Sequence, residues 1–166
     1  ADLHGGETVI DAYCGTGTIS LCLAQKAGRV IGIEIVKEAI EDAKKNAAFN
    51  HIENAEFYAA DAGEFMPQLY KEGLRPDVIV MDPVRAGCSE TVLSAAAGMQ
   101  PSRIVYVSCN VATFARDAKI LAGLGYTVKE VTPVDMFPQT MHVETVALLT
   151  RTEKQVPKVG VCPGFL

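Results

Sequence analysis

Thr8-Val-Ile-Asp11-Ala-Tyr13-Cys14-Gly15-Thr-Gly17-Thr18 is the stretch on which the fold reading turns. A short apolar run ends on an acid, and two glycines one residue apart lead into the apolar, helix-permissive segment 19–27. Strand, glycine turn and helix start make the opening unit of an open α/β sheet, where ligands bind beyond the carboxyl ends of the strands. Gly15 and Gly17 let the backbone approach a ligand where a Cβ would clash. The helix opens near Thr18, and its free N–H groups attract an electron-rich group.

Outward from this turn, strand-like and helix-like segments alternate. Segments 8–12, 29–34, 55–59, 77–81 and 103–108 read as strands. Between them, 36–50, 62–72 (despite Pro67), 90–99 and 112–124 read as helices. The last two strands, 127–133 and 142–149, are joined by a loop and not by a crossover helix, so the final strand should run antiparallel. The expectation is α/β: a mostly parallel sheet of seven strands, the last antiparallel, with helices on both faces. Residues 1–151 form the domain, and 152–166 carry no periodic signal and read as an irregular tail.

Composition narrows the function classes. The 166 residues are 49% hydrophobic and 21% charged, which excludes wholesale disorder. Fifteen Lys and Arg against twenty Asp and Glu give a net charge of −5. A domain gripping nucleic acid through its own face should lean basic, so any nucleic-acid partner would be held largely by something outside this chain, or by a small local patch. No apolar run reaches the ~20 residues of a membrane span. No charged-then-apolar leader opens the chain, and the reading is a cytoplasmic protein. Five cysteines without a C-x-x-C pair argue against a disulfide framework and a zinc site.

The strand-end acids indicate a cofactor. Glu34, 17 residues past Gly17, can accept hydrogen bonds from both ribose hydroxyls of an adenosine. The position of a third glycine in G-x-G-x-x-G is Ser20 here, which weakens the dinucleotide reading. Asp11, Glu34, Asp61 and Asp82 gather negative charge that suits a sulfonium and an ammonium better than a pyrophosphate. S-adenosylmethionine is therefore the expected cofactor, and no metal is expected.

The chemistry is expected at Ser108-Cys109-Asn110, where a strand stops and a helix begins. Asn110 is a helix N-cap candidate. A thiol at that position has its thiolate favoured by the helix N-terminus, which makes Cys109 a candidate nucleophile. Cys14, inside the glycine loop, reads as a packing residue. Glu144 opens the last strand among apolar neighbours; if that strand is antiparallel, Glu144 shares a rim with Cys109. The competing reading of Glu144 is a salt bridge to Arg85 or Arg116. His142 could also serve as the base, although a histidine at a strand start is more often structural. Thiolate, carboxylate and methyl donor together suggest methylation at carbon 5 of uracil. That carbon takes a methyl group only after a thiolate adds to carbon 6, and a base then removes the carbon-5 proton.

D-A-Y-C-G-T-G-T (11–18), G-I-E (32–34), D-P-x-R-x-G (82–87), S-C-N (108–110) and H-V-E-T (142–145) resemble, in order, the S-adenosylmethionine-dependent RNA uracil-5-methyltransferases. The first and last of these are closer to the ribosomal-RNA branch than to the transfer-RNA branch. The resemblance implies a class I methyltransferase fold of Rossmann type, with Cys109 as nucleophile and Glu144 as base. It implies cofactor contacts from Tyr13, Glu34, Asp82 and Asp61, and Asp11, Gly15, Gly17 and Thr18 belong to the same end. Arg85 and Asn110 would position the substrate. Val84 and Val111 stand where the family carries proline. The family's upstream F-x-Q segment and RNA-binding regions are not in this chain. Three other readings stand beside this one: a catalytically silent S-adenosylmethionine-binding fragment, a transfer-RNA uracil-5-methyltransferase domain, and a nicotinamide-dependent oxidoreductase.

Overall fold

The structure, a computed structural model, describes residues 1–136, 138–140 and 143–152. His142 and the stretch 153–166 lie outside them. The elements run β1 (Thr8–Asp11), α1 (Thr18–Ala24), β2 (Arg29–Glu34), α2 (Lys37–Phe49), β3 (Ala55–Ala59) and α3 (Ala62–Lys71). They continue as β4 (Val78–Met81), α4 (Glu90–Gly98), β5 (Arg103–Ser108), α5 (Val111–Gly123), β6 (Tyr126–Val134) and β7 (Glu144–Arg151). The expected alternation holds, and α3 carries Pro67 inside it.

One sheet of seven strands has the order β3-β2-β1-β4-β5-β7-β6. Strands β1 to β5 pair in parallel, while β7 inserts antiparallel between β5 and β6. The central strands are buried on both faces, which is why β4 reads V-I-V-M without a polar residue. One face packs Ile10, Ile31, Ile79, Ile104 and Leu149 against Met66 of α3, Leu93 of α4 and Leu121 of α5. The other sets Val9, Val30, Val78 and Val105 with Ala24 of α1. Phe57 and Cys14 meet Ile40 and Ala43 of α2 in a smaller cluster. At about 25 cal/mol per Å² of apolar surface, these contacts are the main stabilising term.

Edge strand β6 is exposed along its length except at Tyr126. A register shift between Val128 and Glu130 breaks its pairing with β7, as edge strands use bulges to blunt unwanted pairing. Thr152 is tied back beside the start of β6: its N–H donates to the Gly125 carbonyl at 2.8 Å, and its hydroxyl lies 3.0 Å from that of Thr127. No helix among the described residues is long and apolar enough to cross a membrane.

Candidate active site

The glycine loop is built as its sequence requires. Gly15 (φ 51°) and Gly17 (φ 89°) both occupy left-handed conformations that other residues adopt at a cost. The Gly17 N–H closes a turn on the Cys14 carbonyl at 2.8 Å. A Cβ on Gly15 would meet no heavy atom within 4 Å, so the loop leaves open space on that side. Gly17 precedes α1 without any side-chain cap, leaving the first N–H groups of the helix to other partners. Thr18, the first residue of α1, is exposed.

Glu34 does more than wait for a ligand. Its two oxygens accept from Gly15 N–H at 3.3 Å and from Val36 N–H at 3.0 Å. The carboxylate thereby fixes the loop and the turn after β2, and each oxygen retains a lone pair for a further donor. Asp61 caps α3, accepting from Gly63 and Glu64 N–H groups. Its carboxylate is exposed at the end of β3. Tyr13 is half-buried, and its hydroxyl pKa is raised first by burial and then by the neighbouring Cys88 thiol.

Asp11 is not on the open rim. It is 0% exposed, and Oδ2 accepts from Ser20 Oγ at 2.7 Å while Oδ1 has no partner. Burial pushes its carboxyl up to about 6, with the Asp82 charge adding to the rise. Ser20, read in the sequence only as a missing glycine, is thus the hydroxyl that holds this buried acid. Cys14 is buried as expected, and burial pushes its thiol up to about 12.

At the other end of the rim, Cys109 is partly exposed in the turn between β5 and α5. Ser108 Oγ accepts from Asn110 N–H at 3.1 Å, and Asn110 Oδ1 caps α5 by accepting from Ala112 N–H at 3.0 Å. Val111 is the first residue of α5 and its side chain is exposed. A first-turn N–H has no partner within the helix, so valine replaces proline there at little cost. Val84 is likewise exposed.

The antiparallel expectation decides where Glu144 falls. The β5–β7 ladder ends on Ser108↔Thr145. One residue further on each strand stand Cys109 and Glu144, so the two come to the same edge. Burial raises the Glu144 carboxyl above its ordinary value, and the Asp82 charge raises it further. Asp82 is exposed to solvent on one side, and its partial burial raises its carboxyl as well. Asp82 follows β4, which lies between β1 and β5 in the sheet, and its charge raises both Asp11 and Glu144. Arg116, one candidate partner for Glu144, is committed to Asp117 at 2.7 Å.

Sequence reasoning missed that last pair. Asp117 is fully buried in α5. Its Oδ2 accepts from Cys88 N–H at 2.8 Å and from the Tyr106 hydroxyl at 2.5 Å. A signal existed: Asp117 falls three residues after Phe114 and four before Leu121, on the apolar stripe of its helix. Among the described residues no group of His, Cys, Asp and Glu could hold a metal.

Strand order, glycine loop and strand-end acids define a class I methyltransferase fold. A Streptococcus thermophilus protein described as an rRNA methylase shares it at TM-score 0.71 and 14% identity, over 91% of this chain and 90% of that one. The family model for tRNA (Uracil-5-)-methyltransferase matches residues 3–152, and the chain belongs to that family. A Bacillus cereus protein named an uncharacterized RNA methyltransferase is 59% identical over 154 residues, 93% of this chain and 34% of the relative. Pyrococcus abyssi tRNA (uracil-54, C5)-methyltransferase, solved in complex with S-adenosyl-L-homocysteine, is 36% identical with TM-score 0.75. That match covers 89% of this chain and 35% of the archaeal one. The chain spans about a third of the length of these two relatives.

Proposed function

We propose that this domain methylates carbon 5 of a uridine in RNA through a covalent cysteine adduct, using S-adenosylmethionine. The observation that carries the reading is the register that brings Cys109 and Glu144 to one edge beside Asp82. The residues fit the cofactor: open space over Gly15, lone pairs on Glu34, exposed Asp61 and Asp82, and the unpartnered Asp11 oxygen behind the loop. Glu34 would hold the ribose, Asp61 would lie near the adenine, and Tyr13 and Thr18 would border the pocket. When bound, S-adenosylmethionine supplies an electrophilic methyl group.

The Cys109 thiolate adds to carbon 6 of uracil, forming a C–S bond and sending the ring π electrons toward carbon 5. After carbon 5 is methylated, Glu144 accepts its proton. Those electrons re-form the ring double bond, and the C–S bond breaks to return the thiolate. Arg85 and Asn110 would position the base, which must be unpaired or flipped out to reach the thiol. The match of 11–18 and 142–145 to the ribosomal-RNA branch favours ribosomal RNA as substrate. Transfer RNA is the second reading, favoured by the matched family's description and by the archaeal neighbour. With a net charge of −5, the domain relies on RNA contacts made by other regions.

The test is mass spectrometry of the full-length protein with S-adenosylmethionine and 5-fluorouridine RNA, using ribosomal and transfer transcripts in parallel. A fluorine at carbon 5 cannot leave as a proton does, so the expected product is RNA linked to Cys109. Methylation of ordinary RNA without any adduct at Cys109 overturns the mechanism, and the transcript that reacts decides the substrate.

A further inference from the structure

Beyond the reacting groups, one buried network joins the two loops that carry them. The Asp117 carboxylate is 0% exposed. It accepts from the backbone of Cys88, from the Tyr106 hydroxyl and from the Arg116 guanidinium. Arg116 in turn donates to the carbonyls of Ala86 at 2.9 Å and Cys88 at 3.3 Å. One turn earlier on α5, Thr113 Oγ1 donates to the carbonyls of Asn110 at 2.9 Å and Arg85 at 3.3 Å. Gly87 completes the fit: its φ is 79°, and a Cβ there would meet Asp117 Oδ2 at 2.5 Å and an Arg116 nitrogen at 2.6 Å.

We propose that Arg116 and Asp117 are positioning residues that set the 82–88 loop, with Asp82 and Arg85, against the Cys109 turn. This rests on the uracil-5 reading above. Asp82 and Arg85 leave from the end of β4, whereas Cys109 leaves from β5. Pairing of those strands stops at Met81↔Tyr106, before either loop begins. Beyond the sheet, the first two turns of α5 supply the ties just described. Asp117 is the buried anchor, and Arg116, with a side chain 52% exposed, is the arm that reaches the loop.

The experiment is steady-state methylation by the full-length protein carrying Arg116→Ala, Arg116→Lys or Asp117→Asn, with cofactor affinity by calorimetry and melting temperature measured alongside. Displacing reacting groups by fractions of an ångström is expected to lower kcat by about tenfold or more in Arg116→Ala. Melting temperature should stay near wild type, because the arm is half exposed, and cofactor affinity should fall less than kcat, because the loop carries only Asp82 of the cofactor-facing acids. Arg116→Lys, which keeps one charged donor, should recover part of kcat. Arg116→Ala and Asp117→Asn together should lose less than the product of their separate effects, as residues acting in one network do. If Asp117→Asn does not fold, the two Arg116 variants carry the test alone. An Arg116→Ala enzyme with wild-type kcat overturns the positioning role while leaving the functional reading intact. So does a loss of kcat matched by a fall in melting temperature and not restored by lysine. A wild-type protein that makes no 5-methyluridine overturns the functional reading and the positioning role with it.

Discussion

A carboxylate at Glu144 and a thiol at Cys109 divide the proposed reaction between bond-making and proton removal, and single substitutions separate the two halves. Cys109→Ala should abolish turnover while S-adenosylmethionine still binds, because the thiol lies at the opposite end of the rim from Glu34 and Gly15; calorimetry and a methylation assay read the two effects. Glu144→Gln should still form the adduct but fail to release it, with turnover down by roughly 10²–10⁴-fold, the usual contribution of a general base. Covalent RNA–protein species should then accumulate on a denaturing gel. The acid limb of kcat should lie above the ordinary glutamate range, since burial and Asp82 both raise Glu144. Asp82→Asn, at saturating cofactor, should move that limb to lower pH; an unmoved limb would show that Asp82 does not tune the base. The shared rim of these two residues was legible in the sequence, because Cys109 directly follows the end of β5 and Glu144 opens the antiparallel β7. The link from Arg116 and Asp117 to the 86–88 loop was not, although the apolar stripe of α5 marked Asp117 as buried: the ties go to backbone atoms about thirty positions away, and hydrogen bonds to backbone leave no spacing signature.

At the level of elements, local pattern announced each strand and helix, yet the order of the strands had to come from the structure. Periodicity reports which face of a segment is apolar and says nothing about its neighbour in the sheet. The insertion of β7 between β5 and β6 is the example: a loop-linked final pair predicted an antiparallel strand but not that it would join β5. Close approach between elements is similarly silent. Gly32 of β2 faces the Phe57 ring of β3, where a Cβ would lie 2.6 Å from Cδ1 and 2.9 Å from the Cys14 sulfur. The Phe57 ring also lies 3.2 Å from the Cβ position of Gly17. One aromatic ring thus packs against both the glycine loop and the strand that delivers Glu34. Gly32→Ala should therefore destabilise the fold by about 1–3 kcal/mol, the common cost of overpacking a core. Cofactor affinity should fall with it, because the displaced ring pushes on the loop. Phe57→Leu in the same chain removes the clashing ring atoms and should return part of the stability in a urea titration. Absence of any recovery would place the strain elsewhere.

Across the whole molecule, an acidic chain concentrates buried and half-buried carboxylates along one sheet edge, and this couples stability to pH through Asp11. Its folded pKa is raised from 3.8 to about 6, first by burial. A carboxyl raised in the folded state stabilises the fold fully below its unfolded pKa, and that contribution is lost as pH rises through the folded value. The Asp11 share of stability should accordingly be greatest below its unfolded pKa of 3.8 and fall from there by about 3 kcal/mol at most by pH 7. Urea unfolding across that window, with and without Asp11→Asn, isolates this share: the variant should lack the decline between pH 4 and 6.5. A cationic ligand seated over the glycine loop favours the ionised form and draws the same pKa down. S-adenosylmethionine binding near pH 6 should then release protons from wild type and fewer from Asp11→Asn. Calorimetry in buffers of different ionisation enthalpy counts them. Equal release from the two proteins would mean that the buried carboxylate does not sense the ligand, and that its work is confined to holding Ser20 and the start of α1.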